Sequence, residues 1–123
     1  MATTQLTQEN FEETIANNDI VFIDFWAAWC GPCRSFAPTY EKVSDQHPEV
    51  VFAKVNTEAE QSLAASFNIM SIPTLMIVRE NVVLFSQAGA LPERALTELV
   101  EKVREMNMDD VHRQLREQQE ADA

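Results

Sequence analysis

Two cysteines, Cys30 and Cys33, are separated by Gly-Pro and are the only cysteines in the 123-residue sequence. An apolar segment precedes them and a helical pattern follows, so the pair falls on the first turn of a predicted helix. Residues three apart on a helix lie on one side, which brings the two β-carbons within the ~3.5 to 4.5 Å that a disulfide requires. The spacing therefore favours a pair of thiols that can be oxidised and reduced.

The position at the start of a helix favours ionisation of Cys30. Unpaired backbone amides and the positive end of the helix dipole stabilise a thiolate and lower the pKa of the thiol. A thiol whose pKa lies near the ambient pH is an effective attacker of disulfides. We expect Cys30 to be the more exposed, attacking sulfur and Cys33, one turn later, to be the buried resolving partner.

Three other uses of the cysteine pair remain open, although each is less favoured. A structural disulfide from Cys30 to Cys33 would close a very short loop and contribute little stability, and the cytosol would tend to reduce it. A zinc site usually takes four ligands, and the histidines His47 and His112 fall in a predicted helix end and in the C-terminal segment, so no metal site is expected. Two incidental buried thiols would not need Gly-Pro between them.

Asp24 is the second residue that indicates chemistry, because it interrupts the apolar segment from Ile20 to Ala27. An unpaired buried carboxylate is costly to ionise, so it tends to keep its proton and to have a raised pKa. Asp24 precedes Cys30 on the same predicted strand and turn, and we expect it to accept the proton of Cys33 when that sulfur attacks. An Asp24 that is solvated at a sheet edge, or paired only with Lys54, is the alternative.

Composition excludes several classes of function. Twenty acidic and nine basic side chains give a formal charge of -11, which disfavours binding to nucleic acid or to anionic lipid. No apolar segment approaches the ~20 residues of a membrane-spanning helix. The N-terminus lacks the cationic start and apolar core of a secretory signal, so a cytoplasmic protein is expected.

The elements that must position these residues follow from hydrophobic periodicity. The pattern predicts, in chain order, an apolar strand, a helix, a second strand, a second helix, a hairpin and a third long helix. Because strands that alternate with helices are combined with a hairpin, the predicted fold is α/β with a mixed sheet. Thr7 is expected to cap an additional N-terminal helix. The predicted strands are Ile20–Ala27, Val50–Val55, Thr74–Val78 and Val82–Ser86, and the helices end near Asn17, Gln46, Phe67 and Glu105, with Pro38 kinking the second of these helices.

We expect one domain over residues 1–105 and an acidic C-terminal extension over residues 106–123. The extension has few apolar positions, so a frayed or loosely docked segment is favoured over a short helix capped by Asp109 or Asp110. In the hairpin turn Arg79–Asn81, Asn81 is expected to adopt a left-handed conformation.

The segment from Asp24 to Cys33 reads Asp-Phe-Trp-Ala-Ala-Trp-Cys-Gly-Pro-Cys and resembles the active-site strand and turn of the thioredoxin family. The resemblance extends over about residues 5–105. It implies a thioredoxin-like fold in which helices cover both faces of a mixed central sheet. It also places Lys54 and Trp26 where they would tune the charge of Asp24.

The resemblance implies a client-binding groove as well. Ile72–Pro73 is similar to the family's cis-proline loop, whose backbone pairs with an extended client peptide, although the local sequence alone does not indicate a cis bond. By position, the groove would be lined by Trp29, Gly31, Pro32, Ser71, Ile72, Pro73, Gly89 and Ala90.

The implied activity is that of a general protein-disulfide reductase that uses the Cys30–Cys33 pair and needs no bound cofactor. The implied partners are disulfide-containing client proteins and an NADPH-consuming, flavin-dependent thioredoxin reductase, and a monomer is expected. Two other classes stay open: an interaction subunit with incidental cysteines, and a dedicated oxidoreductase that serves one client or acts as an oxidant.

Overall fold

The computed structural model describes residues 2–122. Met1, the first residue of the predicted domain 1–105, and Ala123, the last residue of the predicted extension 106–123, lie outside the described residues. A five-stranded mixed sheet has the strand order β1-β3-β2-β4-β5, which places β2 at its centre. Both β1 and β2 pair with β3 in parallel, whereas β4 pairs with both β2 and β5 in the antiparallel direction. In chain order the elements are β1 Thr3–Gln5, α1 Phe11–Asn17, β2 Ile20–Trp26, α2 Gly31–Gln46, β3 Val51–Asn56, α3 Gln61–Ser66, β4 Thr74–Arg79, β5 Val82–Ala88, α4 Glu93–Glu105 and α5 Met108–Asp122.

Alternate residues of the central strand pack into two separate apolar cores. Ile20 and Phe22 of β2 belong to a core that α2 and α4 cover, whereas Val21 and Ile23 belong to a core with residues of α1 and α3. This alternation is the period of two that a strand requires. The helices therefore cover both faces of the sheet, as expected, and Asp24 falls on the same face as Phe22, the face that α2 covers.

Two features of the N-terminal region differ from the prediction. Residues Thr3–Gln5 form a short edge strand parallel to β3, which the sequence pattern does not predict. The cap of α1 is Asn10 and not Thr7, so the prediction of a Thr7 cap is wrong. The Thr7 amide instead donates a hydrogen bond to Asn10 Oδ1 at 2.7 Å, because the chain makes a turn before the helix begins.

The hairpin between β4 and β5 closes in two residues. Arg79 pairs with Val82, and the intervening Glu80 and Asn81 both have positive φ angles, 51° and 66°. Two left-handed residues match the twist of a hairpin whose loop has this length. The predicted left-handed conformation of Asn81 is confirmed. Glu80 is left-handed as well, which the sequence pattern does not predict.

The chain beyond α4 continues as the helix α5, in which Met108 is buried and most other residues are exposed. Arg79 supports the joint between the two helices, since its Nη1 donates hydrogen bonds to the carbonyl oxygens of Val103 at 2.6 Å and Met106 at 3.2 Å. His112 of α5 also contacts Glu80 at 2.9 Å. Among residues 2–122, no helix has the length and apolar character that crossing a membrane requires.

Candidate active site

The two cysteines lie where the central strand leads into α2. They form a disulfide, and their Cα atoms are 5.2 Å apart, a separation typical of such bonds. Cys30 is the N-cap residue of α2, and the Cys33 amide donates a hydrogen bond to Cys30 Sγ at 3.2 Å. An amide at the start of a helix that faces this sulfur would also stabilise the Cys30 thiolate after reduction, which supports the attacking role expected of Cys30.

The predicted difference in exposure between the cysteines is absent from the disulfide form. Cys30 and Cys33 are each only 3% exposed, so the expectation of a more exposed Cys30 is wrong for this state. Cys30 Sγ lies 3.8 Å from the carbonyl oxygen of Ile72, so the loop before Pro73 covers the sulfur. In this form the difference between the two sulfurs is the hydrogen bond that the Cys33 amide donates to Cys30 Sγ.

Asp24 is buried in the middle of the central strand. It is 1% exposed, and neither of its carboxyl oxygens has a hydrogen-bond partner among the residues described. Its strand is flanked by β3 and β4, so a solvated Asp24 at a sheet edge is excluded. Asp24 shares the face that α2 covers, and α2 begins with the cysteine pair.

Burial changes the protonation of this carboxyl group. Loss of solvation raises the pKa of Asp24 from the ordinary value of 3.8 to about 7, and the positive charge of Lys54 partly opposes that rise. The pKa of Tyr40 is also raised, first by its own burial and then by the charge of Asp24. Because Tyr40 is on α2, this interaction is consistent with a carboxyl group that faces the helix of the cysteines. A group with a pKa near neutrality suits proton transfer.

Lys54 is the neighbour of Asp24 on the next strand, and Trp26 contacts Lys54. Lys54 occupies the position opposite Asp24 in the pairing of β2 with β3. Its Nζ lies 4.9 Å from the centroid of the Trp26 ring, which is a cation–π distance. The ammonium group therefore has an aromatic partner as well as the charge of Asp24. The Trp26 Nε1 is buried without a hydrogen-bond partner among the described residues.

A second loop meets the cysteines. The Ile72–Pro73 peptide bond is cis, as the resemblance implied. The Gly89 amide donates a hydrogen bond to the Pro73 carbonyl oxygen at 2.8 Å, and Thr74 Oγ1 donates one to the Ser71 oxygen at 2.6 Å. These bonds, together with the approach of Ile72 to Cys30, bring three distant chain segments to one place.

The residues expected to line the groove differ in accessibility. Pro73 is buried, and Gly31 and Ile72 are partly buried. The remaining five are exposed: Trp29, Pro32, Ser71, Gly89 and Ala90. Gly89 has a φ angle of +109°, which favours glycine, whereas a Cβ on Gly31 would meet only the flexible end of Arg34 at 3.9 Å. Backbone conformation thus explains Gly89, and Gly31 has no such steric requirement.

The structure adds a pocket that the sequence pattern does not reveal. It has a volume of about 410 Å³ and joins Trp29, Ser71 and Ile72 of the predicted groove to four further residues, Thr57, Ala64, Ile69 and Met70. Apolar Ile69 and Met70 next to the proline loop were the only signal in the sequence. A larger pocket of about 700 Å³ lies at α1 and the hairpin turn, and it includes neither cysteine.

Known proteins share this architecture. The thioredoxin family model matches residues 2–102. A protein of Streptomyces coelicolor that is named as a thioredoxin is 54% identical over 118 residues, which span 96% of this chain and 88% of that protein. Among solved structures, thioredoxin of Plasmodium falciparum is 35% identical with a TM-score of 0.75, and the match covers 81% of this chain and 98% of that one. A mutant thioredoxin of Halobacterium salinarum is 28% identical with a TM-score of 0.79, and here the match covers 85% and 93% of the two chains.

Replacing Asp24 with Asn should stabilise the disulfide form at neutral and alkaline pH. The pKa of Asp24 is higher in the folded state than in the unfolded state, so ionisation of this group lowers the free energy of unfolding. The free energy of unfolding is therefore unaffected by this group below pH 4 and falls as the pH rises toward and through 7. At roughly 1.4 kcal/mol per pH unit, ionisation of the buried group costs up to about 4 kcal/mol at pH 8. We expect Asp24→Asn to increase the free energy of unfolding in urea by about 2 to 4 kcal/mol at pH 8, and by much less at pH 4.

The matched control is Asp19→Asn, which removes the same charge just before the same strand, where the side chain is 56% exposed and ion-paired with Arg79. Its effect should stay below about 1 kcal/mol. Equal gains for Asp24→Asn at pH 4 and pH 8 would contradict a carboxyl group that ionises near neutrality.

Proposed function

The chain belongs to the thioredoxin family and is a protein-disulfide oxidoreductase, and we propose that it works as a general reductase of protein disulfides. The supporting observation is the arrangement at the start of α2. A helix amide contacts Cys30 Sγ, Cys33 lies one turn later, and the buried carboxyl group of Asp24 occupies the sheet face that this helix covers. Dithiol-disulfide exchange through Cys30 and Cys33 is the chemistry of the family.

The reaction proceeds in two exchanges. The Cys30 thiolate attacks one sulfur of the client disulfide, which forms a mixed disulfide and releases the first client sulfur as a thiolate. Asp24 in its carboxylate form accepts the proton of Cys33, and the Cys33 thiolate then attacks Cys30 Sγ. The second client sulfur leaves as a thiolate. Two electrons have passed to the client, and the protein holds the Cys30–Cys33 disulfide.

The proline loop holds the client during the first exchange. Ile72 presents its carbonyl oxygen beside Cys30 Sγ, and an extended client segment would pair with this backbone as an added strand. Backbone pairing is largely independent of client sequence, and the exposed apolar surface of Trp29 next to it suits many clients. These features support a broad range of substrates.

The cycle needs an electron donor that returns the disulfide to the dithiol. We propose an NADPH-consuming, flavin-dependent thioredoxin reductase, as in other members of the family, in which case the chain itself needs no bound cofactor. The net charge of -11 disfavours nucleic acid and anionic membranes as partners. A cytoplasmic monomer is the form in which we propose that it acts.

Residues 1–105 are proposed to form the catalytic domain and residues 106–123 to form an extension outside it. The end of the family match at residue 102 supports this division. The exposed charged surface of α5 is consistent with a segment that the exchange reaction does not use.

A coupled insulin-reduction assay tests the proposed function. With NADPH and a bacterial thioredoxin reductase, the protein should catalyse repeated reduction of insulin disulfides, followed as NADPH consumption and insulin precipitation. The Cys30→Ser/Cys33→Ser variant is the control and should be inactive, because both exchange steps need a thiolate. Inactivity of the wild type would instead favour an interaction subunit, and turnover only as an oxidant would favour a dedicated oxidant.

The resolving role of Cys33 predicts a trapped intermediate. The Cys33→Ser variant should form mixed disulfides with clients through Cys30 and release them more than about a hundredfold more slowly, since the intramolecular attack has a large effective concentration. Non-reducing electrophoresis and mass spectrometry identify the adducts. Cys30→Ser is the matched control and should trap far less. Release from Cys33→Ser at the wild-type rate would remove the resolving role.

The proton-accepting role of Asp24 predicts a defect in one step. In single-turnover kinetics at pH 7, Asp24→Asn should slow release of the client by at least about tenfold, and it should slow the initial attack less, because only the second step needs deprotonation of Cys33. Above about pH 9 the two proteins should converge as bulk base replaces the carboxylate. Asp19→Asn is the charge-matched control. A defect that is equal in both steps, or constant with pH, would contradict this role.

A further inference from the structure

We propose that Met70 is a specificity-determining residue of the client groove. With Trp29 it flanks a subsite for a large apolar side chain located two positions from the reactive cysteine of the client. This inference rests on the proposed function, since it concerns how the same site selects its substrates. Met70 acts by contact with the client and takes no part in the exchange of sulfurs.

Met70 is unusually accessible for an apolar side chain. It is 92% exposed and Trp29 is 66% exposed, the largest values among the large apolar side chains described. Both line the pocket of about 410 Å³ that Ile72 shares. Single exposed apolar residues are common, but two that flank one pocket beside a reactive group are typical of a binding surface.

The pocket adjoins the site of sulfur exchange through Ile72. Ile72 lines the pocket, and its carbonyl oxygen lies 3.8 Å from Cys30 Sγ. A client cysteine that attaches to Cys30 would therefore lie beside Ile72, and Met70 is two residues away along the loop. An extended client chain rises ~3.3 Å per residue and alternates its side chains, so the second residue from its cysteine lies ~7 Å away on the same side. The side chain of that second residue therefore points to the side of the pocket that Ile72 and Met70 both line.

The chemistry of the lining indicates what the subsite accepts. The described residues that form it carry no charged side chain. A charged client residue would lose water there without gaining a partner, which is unfavourable. The thioether of Met70 is flexible and polarisable, and it adapts to apolar groups of different shapes. Leu, Met and Phe are therefore favoured over charged or small polar residues.

A peptide series tests the subsite. Cysteine peptides in mixed disulfide with a chromogenic thiol carry Leu or Ser two positions before, or two positions after, the cysteine, and kcat/KM is measured for each. The wild type should prefer Leu over Ser by roughly five- to tenfold at one of the two positions, as partial burial of one apolar side chain allows. In Met70→Ser this ratio should fall below about twofold, because the apolar flank of the subsite is lost.

Two variants and a small substrate complete the design. Met106→Ser is the matched control, because Met106 is also exposed, at 37%, but lies after α4 and outside the pocket, so the Leu preference should persist. Met70→Leu should restore the preference. An unchanged ratio in Met70→Ser would overturn the proposal, as would its loss in Met106→Ser. If the wild type reduces neither peptides nor bis(2-hydroxyethyl) disulfide, the proposed function itself has failed.

Oxidation offers an independent measurement on the unaltered chain. Hydrogen peroxide transfers one oxygen atom to a thioether sulfur and leaves water, which makes the side chain a polar sulfoxide. In the disulfide form the cysteines are protected, and Met76 and Met108 are buried. Peptide mapping should show Met70 oxidised before Met106, and the oxidised protein should lose its Leu preference until a methionine sulfoxide reductase restores the thioether. Earlier oxidation of Met106, or a preference that survives oxidation of Met70, would contradict the subsite.

Discussion

The contact between the first turn of α2 and Cys30 Sγ is the interaction on which the site depends. The Cys33 amide reaches this sulfur only because Cys30 caps the helix. The helix in turn starts there because Ala27 to Trp29 turn the chain immediately after the central strand. A displacement of α2 along the sheet would carry both cysteines away from the Ile72 carbonyl oxygen and from the strand that bears Asp24. The packing of Phe36 and Tyr40 against the sheet fixes that position, so the apolar core and the reactivity of the cysteine are properties of one arrangement.

Asp24 shows how the same packing affects both stability and chemistry. Its carboxyl oxygens lack hydrogen-bond partners among the described residues, so the ionised form destabilises the fold. Lys54 reduces that cost by its charge, but its Nζ also lies over the Trp26 ring. A closer and better-bonded cation would lower the pKa of Asp24, and the group would then be ionised throughout and unable to exchange a proton near neutrality. Asp24 can therefore transfer a proton near neutral pH only because the charge of Lys54 offsets its burial in part and not in full.

Local sequence predicted the central part of the fold more fully than its ends. The strand around Asp24 and the helix after Cys33 were clear because long apolar periods define them. The edge strand Thr3–Gln5 was missed since three polar residues carry no periodicity and form a strand only by pairing with β3. The helix α5 was the less favoured of the two forms expected for residues 106–123. Its joint is supported by Arg79, a residue of β4 whose contacts with the end of α4 could not be inferred from nearby sequence.

The site was predictable to the extent that its residues are close in sequence. Cys30, Cys33 and Asp24 lie within one strand and turn, so spacing alone suggested their roles, although it did not reveal that Ile72 covers Cys30. The cis bond before Pro73 came from family resemblance, because local sequence rarely determines such bonds. Met70 illustrates the remaining limit. It shares a pocket with Trp29 only when the loop before Pro73 folds next to the cysteine turn. Client selection therefore depends on tertiary structure even where the sulfur chemistry is local.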